Sequence, residues 1–325
     1  MYSIAEIGNL IDKSLINWQL PNEPSELYQP VAYMMSIGGK RIRPVLCLLS
    51  CNLFTDRLDD SVLFPALGLE IFHGFTLVHD DIMDNSPMRR NQPTVHNKWN
   101  TNTAILSGDV MCIAAYKYIC QGNPVCQSAI LDLFNATAMQ VCEGQQYDMT
   151  YECHAVISEE EYLQMIFLKT AVLIAAAAKI GAISAGATTA DANKMYKFGQ
   201  ELGLAFQIQD DLLDIYGDAD IFGKKTGSDI LNNKKTYLLV TALRQAKGEE
   251  KKHLNELLTL KNIEPNEKVR KVVEIYQHLN IRKQTEKHIA EYFEKALASL
   301  DNVEVDPNRK LILQEFAHKL LNRER

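Results

Sequence analysis

The sequence predicts one all-α domain. Nearly every long segment repeats apolar residues at intervals of three and four, the period of a helix with one buried face, and no run alternates like a strand. The breaks fall at turn-forming residues: Pro21 to Pro24, Gly38-Gly39, Ser86-Pro87, Gly122-Asn123-Pro124, Gly186, Gly217 to Gly227 and Pro265. No low-complexity linker, composition shift or short-period repeat divides the chain, so residues 1–325 are read as a single domain.

Helices are expected over 2–18, 24–37, 42–54, 60–85, 101–121, 124–150, 158–185, 190–216, 233–247, 249–260, 265–280, 282–300 and 307–322. The first is amphipathic, with Glu6, Asp12 and Lys13 on its polar side. The third follows a double-glycine turn. The fourth buries the stripe Leu67, Ile71, Phe75, Val78 and Ile82, spaced 4, 4, 3 and 4. Ser158 and Glu161 form a capping box that opens the seventh, which continues into the Ala-rich run 172–187. In the eighth, Gly203, Gln207, Asp210 and Asp214 fall roughly in line, and Gly203 admits close approach of a ligand or a neighbouring helix.

The totals limit the functional classes. Of 325 residues 46% are hydrophobic and 23% charged, which is enough apolar material for a core. A net charge of −7 argues against nucleic-acid binding. The seven cysteines show no CxxC pair and read as reduced, buried thiols. The N-terminus has no signal-peptide core, and the most apolar stretch is short and interrupted by Lys179, so the expectation is a soluble, cytoplasmic protein without an integral membrane segment.

The chemistry concentrates in a pentapeptide that occurs twice, as Asp80-Asp81-Ile82-Met83-Asp84 and Asp210-Asp211-Leu212-Leu213-Asp214. Residues four apart share a helix face, so Asp80 and Asp84 point one way, as do Asp210 and Asp214. His73 lies within about 20° of Asp80 and Asp84 on that face. Aligned carboxylates repel unless cations sit between them. Two such clusters facing across a cavity suit a hard divalent ion, Mg²⁺, that shares its remaining positions with water and phosphate oxygens.

Basic elements accompany the acids: Lys40, Arg41 and Arg43 after Gly38-Gly39; Arg89-Arg90; Lys169-Thr170; and Lys224-Lys225 with Lys234-Lys235. Singly, such pairs are ordinary solvated surface. Placed after metal-type acids, they supply the charge that a metal–diphosphate site needs.

The segments GGKRIRP (38–44), LVHDDIMD (77–84), Arg89-Arg90, Lys169-Thr170, FQIQDDLLD (206–214) and GKKTGSD (223–229) resemble the trans-type isoprenyl diphosphate synthases of the polyprenyl synthetase family, in its short-chain farnesyl or geranylgeranyl type. The resemblance implies an orthogonal helical bundle around a deep central cavity, assembled as a homodimer. It implies three Mg²⁺ ions, replaceable by Mn²⁺, with Asp80, Asp84 and Asp210 as ligands and Asp81 and Asp214 in support. Arg89, Lys169 and Lys224 would then hold the diphosphate of an allylic substrate (dimethylallyl, geranyl or farnesyl). Lys40, Arg43, His73 and Arg90 would hold isopentenyl diphosphate, and Thr170, Gln207 and Lys234 would line or close the reacting centre. The implied reaction is head-to-tail condensation to a short all-trans prenyl diphosphate.

In this family the residues before the first motif form the floor of the elongation tunnel. Phe75 and Phe72 lie five and eight residues before Asp80, and Thr76 is small, which suggests a fifteen- or twenty-carbon stop. The first motif lacks the two-residue insertion of many bacterial farnesyl synthases, and the terminal Asn322-Arg323-Glu324-Arg325 holds two basic residues. Alternatives are a longer-chain synthase, a class I terpene cyclase and a non-catalytic prenyl-diphosphate-binding subunit. A di-iron bundle built on Glu70-x-x-His73, Glu250-x-x-His253 and Glu315-x-x-His318 leaves the aspartate motifs without a role.

Overall fold

The computed structural model describes residues 1–217, 227–260 and 263–321. The chain is all-α. Contacts divide it into two compact units: Met1–Ala138 with Leu173–Gly199 and Ala298–Phe316, and Met139–Val172 with Gln200–Leu297 and Ala317–Arg325.

The first unit contains α1 (Ile4–Ile16), α2 (Ser25–Ser36), α3 (Ile42–Phe54), α4 (Asp60–Met83), α6 (Thr101–Ile119) and the start of α7 (Gln127–Glu152). Ser3 accepts from the Glu6 amide while the Glu6 carboxylate accepts from Ser3, so α1 opens with a capping box. Helix α3 is buried on every side from Ile42 to Leu53 and forms the centre of this unit. In α4, Leu67, Ile71 and Val78 of the expected stripe are at most 4% exposed.

Between α4 and α6 lies a feature absent from the sequence reading. Met88–Arg89 (β1) and Gln92–Pro93 (β2) form an antiparallel hairpin, followed by the short α5 (Val95–Lys98). Arg90 and Asn91 take φ of 52° and 60° at its turn, the left-handed pair that a tight hairpin needs. Strands of two residues are too short to show alternation.

The second unit contains the end of α7, α8 (Glu159–Ile166), one π-helical turn (Phe167–Ala171), α10 (Thr189–Tyr216) from Gln200 onward, α11 (Ser228–Leu231), α12 (Tyr237–Gln245), α13 (Gly248–Thr259), α14 (Pro265–His278) and most of α15 (Ile281–Asp301). Helix α9 (Val172–Ser184) and helix α16 (Pro307–Leu321) complete the order. The capping box of Ser158 and Glu161 is present. The core gathers Ile208, Leu212, Val240, Leu243, Leu254 and Val272 around the buried rings of Tyr162, Tyr237 and Tyr276. Burial of each such large side chain contributes about 2 kcal/mol.

Two differences from the expected elements have local causes. At Phe167–Ala171 the amide of Val172 bonds the carbonyl of Phe167, five residues back, inserting one residue into the expected continuous helix. The helix expected from 233 begins instead at Tyr237. Asn233 takes a φ of 53°, and the Thr236 hydroxyl accepts from the Leu239 amide as an N-cap.

Asp60–Met83 and Glu159–Ser184 are long and apolar enough to cross a membrane, but 61% and 78% of their apolar windows are buried within the protein. They are core helices.

Candidate active site: two acidic motifs and their partners

The first motif ends α4. Asp84 is its exposed C-cap, with its amide bonded to the Asp80 carbonyl at 2.9 Å, while Asp81 turns inward and is buried. The hairpin then brings Arg89 back onto the helix end. Its Nε donates to Asp81 Oδ1 and Oδ2 at 2.9 and 2.8 Å, and Nη2 reaches Asp80 Oδ2 at 3.4 Å. Burial works against the Arg89 charge, and Asp81, Asp80 and Asp84 outweigh it. Both oxygens of Asp81 are thus engaged in positioning Arg89.

Arg90 turns the other way. Its Nη1 donates to the Gly38 carbonyl, and its guanidinium lies against Gly39, where a Cβ would fall 2.5 Å from Nη1. Gly39 also has a φ of 137°, so this contact requires glycine. The three cations of residues 40–43 separate in role. Arg41 is internal: it donates to Glu70 Oε1 at 2.9 Å and to the Met35 carbonyl at 2.7 Å. Lys40 is exposed, and Arg43 is buried in the first turn of α3.

His73 lies in the field of these arginines. Burial, followed by Arg43, Arg90, Arg89 and Arg41, holds its pKa well below the ordinary imidazole value, so its ring is neutral at pH 7. Glu70 serves Arg41 and His73 belongs to this basic group, so the Glu70-x-x-His73 pair offers no iron site. His79, off this face, has Nε2 3.1 Å from the Ile105 carbonyl. Trp99 packs edge-on against Tyr33, whose ring also carries Lys98 Nζ at 3.8 Å, so α5 is fastened to α2.

Beneath the motif is an aromatic cluster. Phe72 is buried, with its centroid 5.4 Å from Phe75 and 5.1 Å from Phe134, and Phe134 meets Tyr116 at 4.9 Å. Phe75 is half-buried and meets His79 at 4.8 Å. Thr76 donates back to the His73 carbonyl at 2.8 Å.

The second motif is supported differently. The π turn presents Lys169 and Thr170. Lys169 Nζ donates to the buried Asp148 at 2.5 Å, and Gly144 allows α7 to approach the Lys169 backbone so closely that a Cβ would collide with it. Thr170 Oγ1 donates to Gln207 Oε1 at 2.9 Å. Asp211 accepts from Gln207 Nε2 at 3.1 Å, from the Tyr162 hydroxyl at 2.6 Å and from the Tyr237 amide at 2.8 Å. Burial, then the charge of Asp229, raises its pKa to about 7. Asp210 is half-buried. Asp214 accepts from Ser228 Oγ at 2.7 Å and the Asp229 amide at 3.0 Å, and so caps the start of α11. The Lys234 amide donates to the Asp229 carbonyl at 2.9 Å, and Lys234 is half-buried. Gly203 is packed against Ala171, so its missing side chain admits a neighbouring helix. Lys224 lies outside the described residues, as does the terminal segment 322–325.

Asp148 and Tyr162 were not singled out by motif reading, and Asp211, Arg41 and Glu70 were named within motifs without the partners they take here. Their spacing carries no signal, because each depends on a partner distant in sequence. Among the described residues no three His, Cys, Asp or Glu side chains make a self-contained metal site. The acids of the two motifs offer carboxylate oxygens. That donor chemistry fits a hard ion completed by water and phosphate.

The family model for Polyprenyl synthetase matches residues 24–276. A geranylgeranyl diphosphate synthase of Methanosarcina mazei is 39% identical over 224 residues, covering 68% of this chain and 69% of its own length. A geranylfarnesyl diphosphate synthase of Natronomonas pharaonis is 37% identical over 263 residues, covering 75% and 76%. A crystal structure of a geranylgeranyl pyrophosphate synthase superimposes with a TM-score of 0.93 at 37% identity and covers all of both chains. Motifs, fold and relatives agree: the chain belongs to the polyprenyl synthetase family, as a short-chain trans-isoprenyl diphosphate synthase.

Proposed function

We propose that the whole chain works as one polyprenyl synthetase domain that condenses isopentenyl diphosphate with an allylic diphosphate, with the twenty-carbon geranylgeranyl diphosphate as its main product. The observation that carries this is the group of four arginines around a neutral His73, at the end of the helix that carries Asp80 and Asp84. Arg41 and Arg89 already have carboxylate partners in Glu70 and Asp81, and the positive charge gathered around His73 suits a polyanion. Diphosphate has the required charge.

Lys40, Arg43, Arg90 and His73 hold isopentenyl diphosphate. The neutral imidazole donates one hydrogen bond to it without adding to the repulsion. Arg89, held in place by Asp81, neutralises the allylic diphosphate together with Lys169 and Lys224. Asp80, Asp84 and Asp210 would hold Mg²⁺ (three ions, with Mn²⁺ able to substitute), which when bound stabilises charge on the diphosphate leaving group. The allylic C–O bond breaks and its electron pair leaves with diphosphate. The double bond of isopentenyl diphosphate then attacks the allylic carbon, and a proton passes to the departing diphosphate. We assign Lys169, Thr170, Gln207 and Lys234 to line or close this centre.

The twenty-carbon assignment rests on two supports. The aromatics Phe72 and Phe75, with Thr76 leaving room beside them, form a floor that a growing chain meets. The relatives named above are synthases of twenty- and twenty-five-carbon products by name. A homodimer is supported by α6, where Leu106 and Ile113, two turns apart on one face, are 58% and 70% exposed and Ile105 beside them is 40% exposed. Such a face is suited to a second copy in the cytoplasm.

The test is a product assay with isopentenyl diphosphate, Mg²⁺ and each primer in turn, followed by chain-length analysis of the dephosphorylated alcohols. A linear twenty-carbon alcohol is expected. A cyclic hydrocarbon, or bound diphosphates without turnover, would move the protein to the cyclase or silent-subunit class.

A further inference from the structure

We infer that Asp211 is a positioning residue, which fixes the hydrogen-bond polarity of Gln207 and, through Gln207, that of Thr170. The inference deepens the proposed function, since it rests on Thr170 and Gln207 facing the reacting centre.

The geometry is a directed chain. The Tyr237 backbone amide can only donate, and Asp211 Oδ2 receives it together with the Tyr162 hydroxyl, while Oδ1 receives Gln207 Nε2. The NH₂ of Gln207 is therefore turned toward Asp211 and its carbonyl oxygen toward Thr170. That oxygen takes the one proton of the Thr170 hydroxyl at 2.9 Å. Thr170 is left with lone pairs to present, and Gln207 Oε1 keeps a second lone pair of its own. Both residues offer the negative ends of their dipoles. Those ends stabilise positive charge developing on an allylic carbon, and a reversed amide would turn protons toward it instead.

The surroundings make the polarity count. Tyr162 and Tyr237 are 1% exposed, Asp211 6% and Thr170 9%, so the chain is nearly dry and little solvent screens it. Burying a carboxyl group is costly, and three donors, two of them from other segments, are committed to keeping it there. Asp148 under Lys169 and Asp81 under Arg89 are buried acids of another kind, because each holds a cation.

The test uses Asp211→Asn, which keeps the shape but lets position 211 donate as well as accept, together with Gln207→Leu and the double variant. Turnover of Asp211→Asn should fall roughly 10- to 100-fold. The KM for both diphosphates and the Mg²⁺ midpoint should stay within about threefold, and the double variant should be no slower than Gln207→Leu alone. Independent, multiplying losses would overturn the inference, as would a shifted Mg²⁺ midpoint or an unchanged turnover. A second readout needs no activity. In protein labelled with ¹⁵N at glutamine side chains, the resonance missing from Gln207→Leu identifies Gln207, and its two NH protons should be widely separated in the parent and converge in Asp211→Asn. Unchanged separation refutes the positioning role. An inactive parent protein refutes the proposed function and leaves this second readout to decide the inference.

Discussion

The two copies of Asp-Asp-x-x-Asp share a sequence pattern and differ in what surrounds them. At the first, the middle acid Asp81 is paired with Arg89, and His73 is kept neutral by burial and four arginines. At the second, the middle acid Asp211 has neutral donors, and burial with a nearby Asp229 raises its pKa to about 7. The last acids differ as well: Asp84 is exposed at the end of α4, whereas Asp214 caps α11. The middle acid of one motif is held by an arginine and that of the other by neutral donors. A repeated motif therefore does not assign equal work to equal positions. In each copy at least one acid is a fastener, and the fastened partner differs.

Of the two fasteners, breaking the first should have the larger effect. Asp81→Asn leaves Arg89 without its bidentate partner, and kcat/KM should fall about 100-fold. Asp81→Glu, which can still pair, should recover part of the loss, and steady-state kinetics on both variants would check this. Phe75→Ala comes next. Opening the half-buried ring should lengthen the main product by about one isoprene unit, because removal of a buried aromatic leaves a cavity the chain can enter. An unchanged product spectrum at intact activity would remove Phe75 from the floor.

Loss of the second fastener should be milder. Asp214→Ala removes the cap of α11 and should cost about 1 kcal/mol in denaturant unfolding, against almost nothing for the exposed Asp84→Ala in metal-free protein. The smallest signal concerns His73. Its folded pKa is depressed, so its neutral form is the stable one, and stability from this residue is present above the unfolded value near 6.5 and lost as pH falls below it. Ring resonances of His73 should stay in the neutral form through pH 6, and inorganic diphosphate should shift their midpoint upward.

Much of this was legible in the sequence. The long helices follow from three- and four-residue spacing, and the Ser158–Glu161 box marked its helix start. The alignment of His73 with Asp80 and Asp84 was readable because it is local to one helix. The hairpin was not, since its strands are two residues long and its turn depends on left-handed Arg90 and Asn91. Nor could the sequence separate Arg41 from Lys40 and Arg43. Glu70, 29 residues away, ties Arg41 into the interior. The π turn escaped for a similar reason: one inserted residue barely disturbs apolar periodicity, yet it governs where Lys169 and Thr170 point.

The central claim is that both acidic motifs serve one ionisation-driven condensation. It is tested most directly by assaying the parent protein beside Asp80→Ala and Asp210→Ala with isopentenyl diphosphate, farnesyl diphosphate and Mg²⁺. The account predicts a linear twenty-carbon product from the parent and a loss of about 10³-fold in each variant, with helical content unchanged. Comparable turnover in either variant, or no prenyl product from the parent, would contradict it.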